Sequence, residues 1–256
     1  MGKRLLGFGV LLAACAALAG AAIGAGAATV RIGTLVLQAD GGFEPQVLPK
    51  HTFAPIHFQG HGDIKTTDGS VPPALQHVKL EFDHDGRLTT TGLSVCPPNE
   101  IETATPQQAR QRCGDAIVGA GHVAAAVPLP GLGRITLNSP LTLFNGPRQG
   151  GDPTVVVHAQ APFPISETYV VIVRIEKRRG TFGYRTSFDV PPIAGGLGAI
   201  THIDAKIGRI YSAGGVERSY VSARCSDFIL QTQGYFSFSD GNVVYGSVFK
   251  VCRTSG

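Results

Sequence analysis

Residues 219–252, SYVSARCSDFILQTQGYFSFSDGNVVYGSVFKVC, constrain this chain more than any other stretch. Asp240-Gly241 sits between two runs of alternating side chains, the strongest short-range signal for a tight β-hairpin. A two-residue turn centred there pairs Phe238 with Val243, Phe236 with Tyr245, Gly234 with Ser247 and Thr232 with Phe249. One face of such a hairpin is mostly apolar, with Gln231, Gln233 and Ser237 turned away from it. Burying that face demands a second layer of structure. Cys225 and Cys252 stand near the two ends of the unit, where an oxidising compartment would staple it.

The same alternation recurs along the chain. Strands are expected at 29–38, 52–66, 77–82, 87–96, 116–127, 133–143, 154–159, 167–176, 181–190 and 199–210, with residues 83–86 turning the third of these into the fourth as a second hairpin. The punctuation comes from 34 glycines and 17 prolines. One short helix is expected at 105–112, where Thr105 caps and Pro106 takes the first helical position. No long amphipathic helix separates the strands, which argues against parallel βαβ construction. The fold class is therefore all-β, an antiparallel sandwich or jelly roll of about a dozen strands with one short helix. Residues 28–256 form a single domain, with two packed subdomains meeting near 128–133 as the alternative.

The N-terminus reads as an export signal. Lys3 and Arg4 precede an apolar run from Leu5 to Leu18, and Ala25-Gly26-Ala27 supplies a small-residue cleavage pattern, giving a signal peptide over 1–27. Leu12-Ala13-Ala14-Cys15 also fits a lipobox, which would anchor a lipoprotein at Cys15, and an uncleaved anchor is the third outcome. All three place the chain outside the cytoplasm, secreted or in the cell envelope. Losing Lys3 and Arg4 reduces the 22 basic residues to 20 against 18 acidic ones, so no bulk charge argues for nucleic acid.

Four further cysteines, Cys96, Cys113, Cys225 and Cys252, allow three disulfide connectivities. Pairing of sequence neighbours is the expected one, each bridge being worth about 3 kcal/mol on the chain-entropy view. No Cys-x-x-Cys or Cys/His spacing supports a metal site or a reactive thiol instead.

The blocks VPPALQHVKLEFD (71–83), CGDAIVG (113–119), LTLFNGP (141–147), PPIAGGLGAITH (191–202) and SYVSARCSD (219–227) resemble those of uncharacterised secreted proteins of soil actinobacteria. The resemblance covers most of the chain beyond the leader. It implies export and a shared fold and brings no activity, ligand or catalytic residue.

The candidate binding residues form two groups. His57, His61 and Asp63, with His51, are the densest imidazole and carboxylate cluster. Residues four apart in a strand lie about 13 Å apart, however, so they share no ion unless Gly60 bends the chain sharply or a neighbouring strand contributes. Lys177, Arg178 and Arg179, with Arg174 and Arg185, gather at a hairpin tip near Gly180 and offer contacts to an anionic envelope polymer or lipid headgroups, a solvated basic turn that discourages edge pairing being the alternative. A cell-envelope polymer or a small ligand is the partner expected of the chain. Asp83, His84 and Asp85 lack a full calcium-loop pattern and suit a turn. His202 and Asp204 share one face of a strand but have no nucleophile tied to them. There is no G-x-S-x-G, and Gly195–Gly198 is followed by a strand where a phosphate loop needs a helix. No catalytic residue, metal or cofactor is assigned. The role expected is non-catalytic, either structural, adhesive or ligand-binding. An extracellular hydrolase and a carrier of an apolar ligand between the sheets are the alternatives.

Overall fold

Alternating side chains and closely spaced turn residues drive most of the chain into strands. A computed structural model describes residues 27–129, 131, 133–161 and 166–255. The charged start, Cys15 and most of the expected cleavage pattern lie outside the described residues.

The first strands are β1 (Ala28–Ile32), β2 (Leu35–Glu44), β3 (Val47–Pro49), β4 (Ala54–Pro55), β5 (His57–Thr66), β6 (Leu75–Asp83) and β7 (Gly86–Leu88). Helix α1 (Pro106–Cys113) leads into β8 (Ile117–Leu129), β9 (Gly133–Gln149), β10 (Asp152–Ala161), β11 (Glu167–Lys177) and β12 (Phe182–Asp189). Then come β13 (Ala199–Ile207), β14 (Ile210–Ala213), β15 (Val216–Ser219) and β16 (Val221–Ala223). The chain ends with β17 (Ile229–Phe238), β18 (Val243–Val251) and β19 (Arg253–Ser255).

Twelve strands form one antiparallel sheet in the order β1-β2-β5-β13-β8-β9-β10-β11-β12-β6-β17-β18. The sheet rolls until its edges meet, so the all-β expectation takes the form of a nearly closed barrel. A methyl group on Gly246 of β18 would lie 3.7 Å from the side chains of Ala28 and Val30 in β1. Beside this seam Leu35, Leu37, Ile64 and Ile200 pack on Phe238 and Val244. A second cluster joins Val118, Leu141, Leu143, Val155 and Val173 of the wall to Leu93, Tyr211 and Tyr220. Those last three residues lie on connecting segments and on the β14–β15 hairpin, which therefore stop one end of the barrel.

Residues 141–146 of β9 are buried on both faces. Leu141 and Leu143 face the barrel core, while Phe144, with Val156 of β10, lies under Ile101, Ala104, Ala109 and Cys113. The sequence LTLFN thus reads as a continuous buried run, the signature of a strand covered on both sides. Helix α1 begins with a capping box: Thr105 Oγ1 accepts from Gln108 N–H, and Gln108 Oε1 accepts from Thr105 N–H. The Cys96–Cys113 disulfide holds this segment against the outer face of β9 and β10. Cys225–Cys252 is the second bridge, buried with Leu48, Phe43 and Ile56, so both expected pairings are present.

Four local expectations change. The organising hairpin closes with Ser237 opposite Val243, and Phe238 N–H donates to Asn242 O. The loop is therefore Ser239-Asp240-Gly241, with Gly241 at φ +85°, a three-residue turn in place of two. That one-residue slip reverses the facing of β18. Val244 accompanies Phe236 and Phe238 inward, while Val243 and Tyr245 turn outward. Second, β6 and β7 do not pair: β6 lies between β12 and β17, and β7 joins β16. The carboxylate of Asp83 ends β6 by accepting from Asp85 N–H and Gln231 N–H. Third, residues 29–38 are two strands joined at Gly33-Thr34, with Gly33 at φ +58°. Fourth, the strand expected at 87–96 is confined to β7.

Candidate functional site

At the stoppered end of the barrel, the turns between wall strands and the stopper line a half-open polar cavity of about 430 Å³. Its walls are Arg148 at the end of β9, Pro153 of β10, Lys177 of β11 and Tyr184 of β12. From the stopper come Arg87 through Thr91 and Arg218 of β15. The lining carries four cations, three threonines and a tyrosine, and no carboxylate.

Local contacts fix these groups. Tyr211 donates its hydroxyl to the carbonyls of Thr89 and Thr91, at 3.2 and 3.1 Å, and Tyr220 O accepts from Thr89 N–H. Tyr184 Oη accepts from Leu88 N–H at 3.3 Å. Arg148 spans the gap: Nη1 donates to Gly151 O at 2.7 Å and Nη2 to Thr90 Oγ1 at 3.0 Å. The Arg87 guanidinium lies 5.0 Å from the centre of the Phe53 ring. Arg218 pairs in register with Tyr211, and its Nε is buried without a hydrogen-bond partner. An unpaired cationic donor out of water is costly, and an oxyanion in the cavity is the acceptor that would relieve it. Burial pushes the Tyr211 hydroxyl above its ordinary range despite the opposing charge of Arg218, so it stays a donor at neutral pH.

The cations of this mouth are uncompensated. Among the described residues, the lysines and arginines within 4.0 Å of a carboxylate are Arg174, Arg185, Lys206, Arg224 and Lys250. None of these lines the cavity. The carboxylates of the adjoining wall are already engaged, Asp152 with Arg174 and Glu81 with Arg185, each at 2.6 Å.

The two groups of sequence candidates part company. Lys177 lines the cavity, and Arg178 and Arg179 border a shallower depression that shares Lys177 with it. His57, His61 and Asp63 lie along β5, on the outward face of the sheet. Asp63 Oδ1 pairs with His202 Nδ1 at 2.8 Å, and His61 stands in register between Asp40 and Asp204. His57 is opposite Glu44, at the far end of the strand from Asp63. The hydrogen bond that His202 donates to Asp63 raises the pKa of His202, with burial opposing. His202 Nε2 reaches Asp204 Oδ2 at 3.4 Å, but neither residue borders the cavity.

Asp83, His84 and Asp85 bring ligand-type atoms within 4.8 Å of one another. Both carboxylates nevertheless serve the fold. Asp85 accepts from Arg224 Nε at 2.7 Å and from Ser226 N–H at 2.8 Å. Burial would raise its pKa, and those hydrogen bonds outweigh it and hold the group below the ordinary range. In Asp83 burial prevails and the pKa rises.

Arg87, Arg148 and Arg218 escaped sequence reasoning because they come from three strands far apart in the chain, β7, β9 and β15, and stand alone in the sequence. Only the Lys177-Arg178-Arg179 run carried a visible signal. No protein family matches this chain, no curated protein resembles it in sequence, and no solved structure matches its fold. Among the described residues no helix is long and apolar enough to cross a membrane. Two disulfides suit an oxidising, extracytoplasmic setting.

Proposed function

We propose that this chain is an exported binding protein, related to secreted proteins of soil actinobacteria, whose ligand is an oxyanion held in the mouth of the barrel. The observation that carries this reading is the convergence of Arg87, Arg148, Lys177 and Arg218 on one cavity with no carboxylate in its lining. Guanidinium groups bind phosphate, sulfate and carboxylate through charge-assisted hydrogen bonds, and threonine hydroxyls add donors of adjustable direction. The cavity falls within the size range of small-ligand sites. It lacks a nucleophile poised beside a base, which favours binding over turnover.

A ligand that binds only the folded state raises its stability, by about 2.7 kcal/mol at a hundredfold excess over Kd. Sodium phosphate should therefore raise the Tm of the wild-type protein above that seen in sodium chloride of equal ionic strength. Arg148→Ala should remove most of this rise, because Arg148 is exposed and its loss leaves the core intact. Equal Tm in both salts would refute the proposal.

A further inference from the structure

The cavity does not end the cationic surface. Lys177 is common to it and to a second depression of about 520 Å³ bounded by Arg178 and Arg179. This ledge belongs to a fixed turn: Arg178 N–H donates to Gly183 O at 2.9 Å, Lys177 pairs with Tyr184, and Gly180 turns the chain at φ +106°. Six cations thus share one surface, Arg87, Arg148, Lys177 and Arg218 at the cavity and Arg178 and Arg179 on the ledge. Their mutual repulsion opposes folding unless something of opposite charge lies along them. A single small anion in the cavity leaves Arg178 and Arg179 unmatched.

Resting on the oxyanion reading above, we infer that the physiological ligand class is a linear polyanion of phosphate or phosphodiester chemistry. One charged group enters the cavity and the following repeats run over the Lys177–Arg179 ledge. Tetrahedral oxyanions suit the site better than carboxylates. Three threonines and four cations offer more donors than the two oxygens of a carboxylate accept. Nucleic acid is disfavoured because single strands are held by bases stacked on aromatic rings. Tyr184 is the one ring in the lining, and its hydroxyl is tied to Leu88 N–H.

The test is titration of the full exported chain with pyrophosphate, with long-chain inorganic polyphosphate and with polygalacturonate. The proteins are the wild type, Arg218→Met, the ledge variant Arg178→Ala/Arg179→Ala, and a control of equal charge loss, Arg31→Ala/Lys65→Ala on β1 and β5. The expected result is polyphosphate binding far tighter than pyrophosphate. The ledge variant should show about tenfold weaker polyphosphate affinity and a salt-dependence slope shallower by about 2 units, near one for each phosphate no longer neutralised. Its pyrophosphate affinity, like the behaviour of the control, should stay unchanged. Pyrophosphate binding with no extra gain from chain length, or equal losses in ledge variant and control, overturns the polymer inference and leaves the cavity reading standing. Tighter binding of polygalacturonate overturns the phosphate assignment. Failure of Arg218→Met to weaken either phosphate ligand overturns the cavity reading and the inference with it.

Discussion

Lys250 Nζ lies 2.7 Å from Asp40 Oδ1, and this pair joins the two ends of the rolled sheet just beyond the point where β1 begins. β2 continues past its pairing with β1, and β18 supplies the cation that meets its exposed edge. Each side chain is about a quarter exposed, so the pair is neither a free surface contact nor a fully desolvated one. Burial works to raise the Asp40 pKa, but the hydrogen bonds from Lys250 and Gly41 N–H prevail and lower it. A lowered carboxylate contributes stability above its unfolded pKa and loses it as pH falls through the folded one.

Asp40→Asn should therefore cost about 1 kcal/mol at pH 7, and the difference from wild type should shrink below the ordinary carboxylate range of about pH 4. Urea unfolding at pH 7 and pH 3 measures both values. A difference independent of pH would show that the pair does not close the seam.

His158 supplies an acid-sensitive point beneath the helix. Its side chain is fully buried, Nε2 is 2.8 Å from Ala104 O, and Nδ1 has no partner. Burial, with a smaller contribution from Arg110 of α1, holds its pKa below the ordinary value of 6.5. The unfolded chain thus takes up this proton first. Stability is fully present above pH 6.5 and declines as pH falls toward the folded pKa. His158→Gln should flatten the loss of stability between pH 7 and pH 5. A wild-type acid limb retained in that variant would assign the sensitivity elsewhere.

The two disulfides should differ in what they release. Cys96→Ser/Cys113→Ser should cost about 3 kcal/mol and free the α1 segment from β9 and β10 while the rest of the barrel stays folded. Hydrogen exchange should then accelerate in α1 and along residues 142–145 and 156–158. Cys225→Ser/Cys252→Ser should instead loosen the β3–β19 pair, which lies against that bridge. Identical exchange patterns would contradict this division.

Two glycines should respond unequally to alanine. A methyl group on Gly121 would fall on the backbone carbonyl of Asp204 in the neighbouring strand β13, so Gly121→Ala should cost about 3 kcal/mol. Gly241 has open space around it but a φ of +85°, and Gly241→Ala should cost about 1 kcal/mol. Denaturant midpoints order the two, and the reverse order would refute the packing between β8 and β13.

Much of the fold was legible because strand periodicity and turn residues are local properties. The spans of β8 to β13, the capped helix after Thr105 and both disulfides were readable in this way. What local pattern could not supply was pairing. Asp240-Gly241 marks a hairpin, yet whether two or three residues form its loop depends on which of Val243 and Val244 the core accepts. Asp83 and Gly86 look like a turn between paired strands, although the Asp83 carboxylate instead holds Gln231 of a strand far along the chain. The mouth was hidden for the same reason. Arg87, Arg148 and Arg218 have nothing in common until the sheet rolls and the β14–β15 hairpin stops its end.

Whether this mouth holds an oxyanion is tested most directly by calorimetric titration of pyrophosphate into wild type and Arg218→Met. Methionine keeps much of the length and removes the guanidinium with its buried, unpaired Nε, so the variant should remain as stable as wild type. One site is expected in the wild-type protein, with an affinity at least about tenfold weaker in the variant, which lacks a charge-assisted hydrogen bond. Absence of binding to the wild-type protein, or equal affinity in the two, would contradict the oxyanion site.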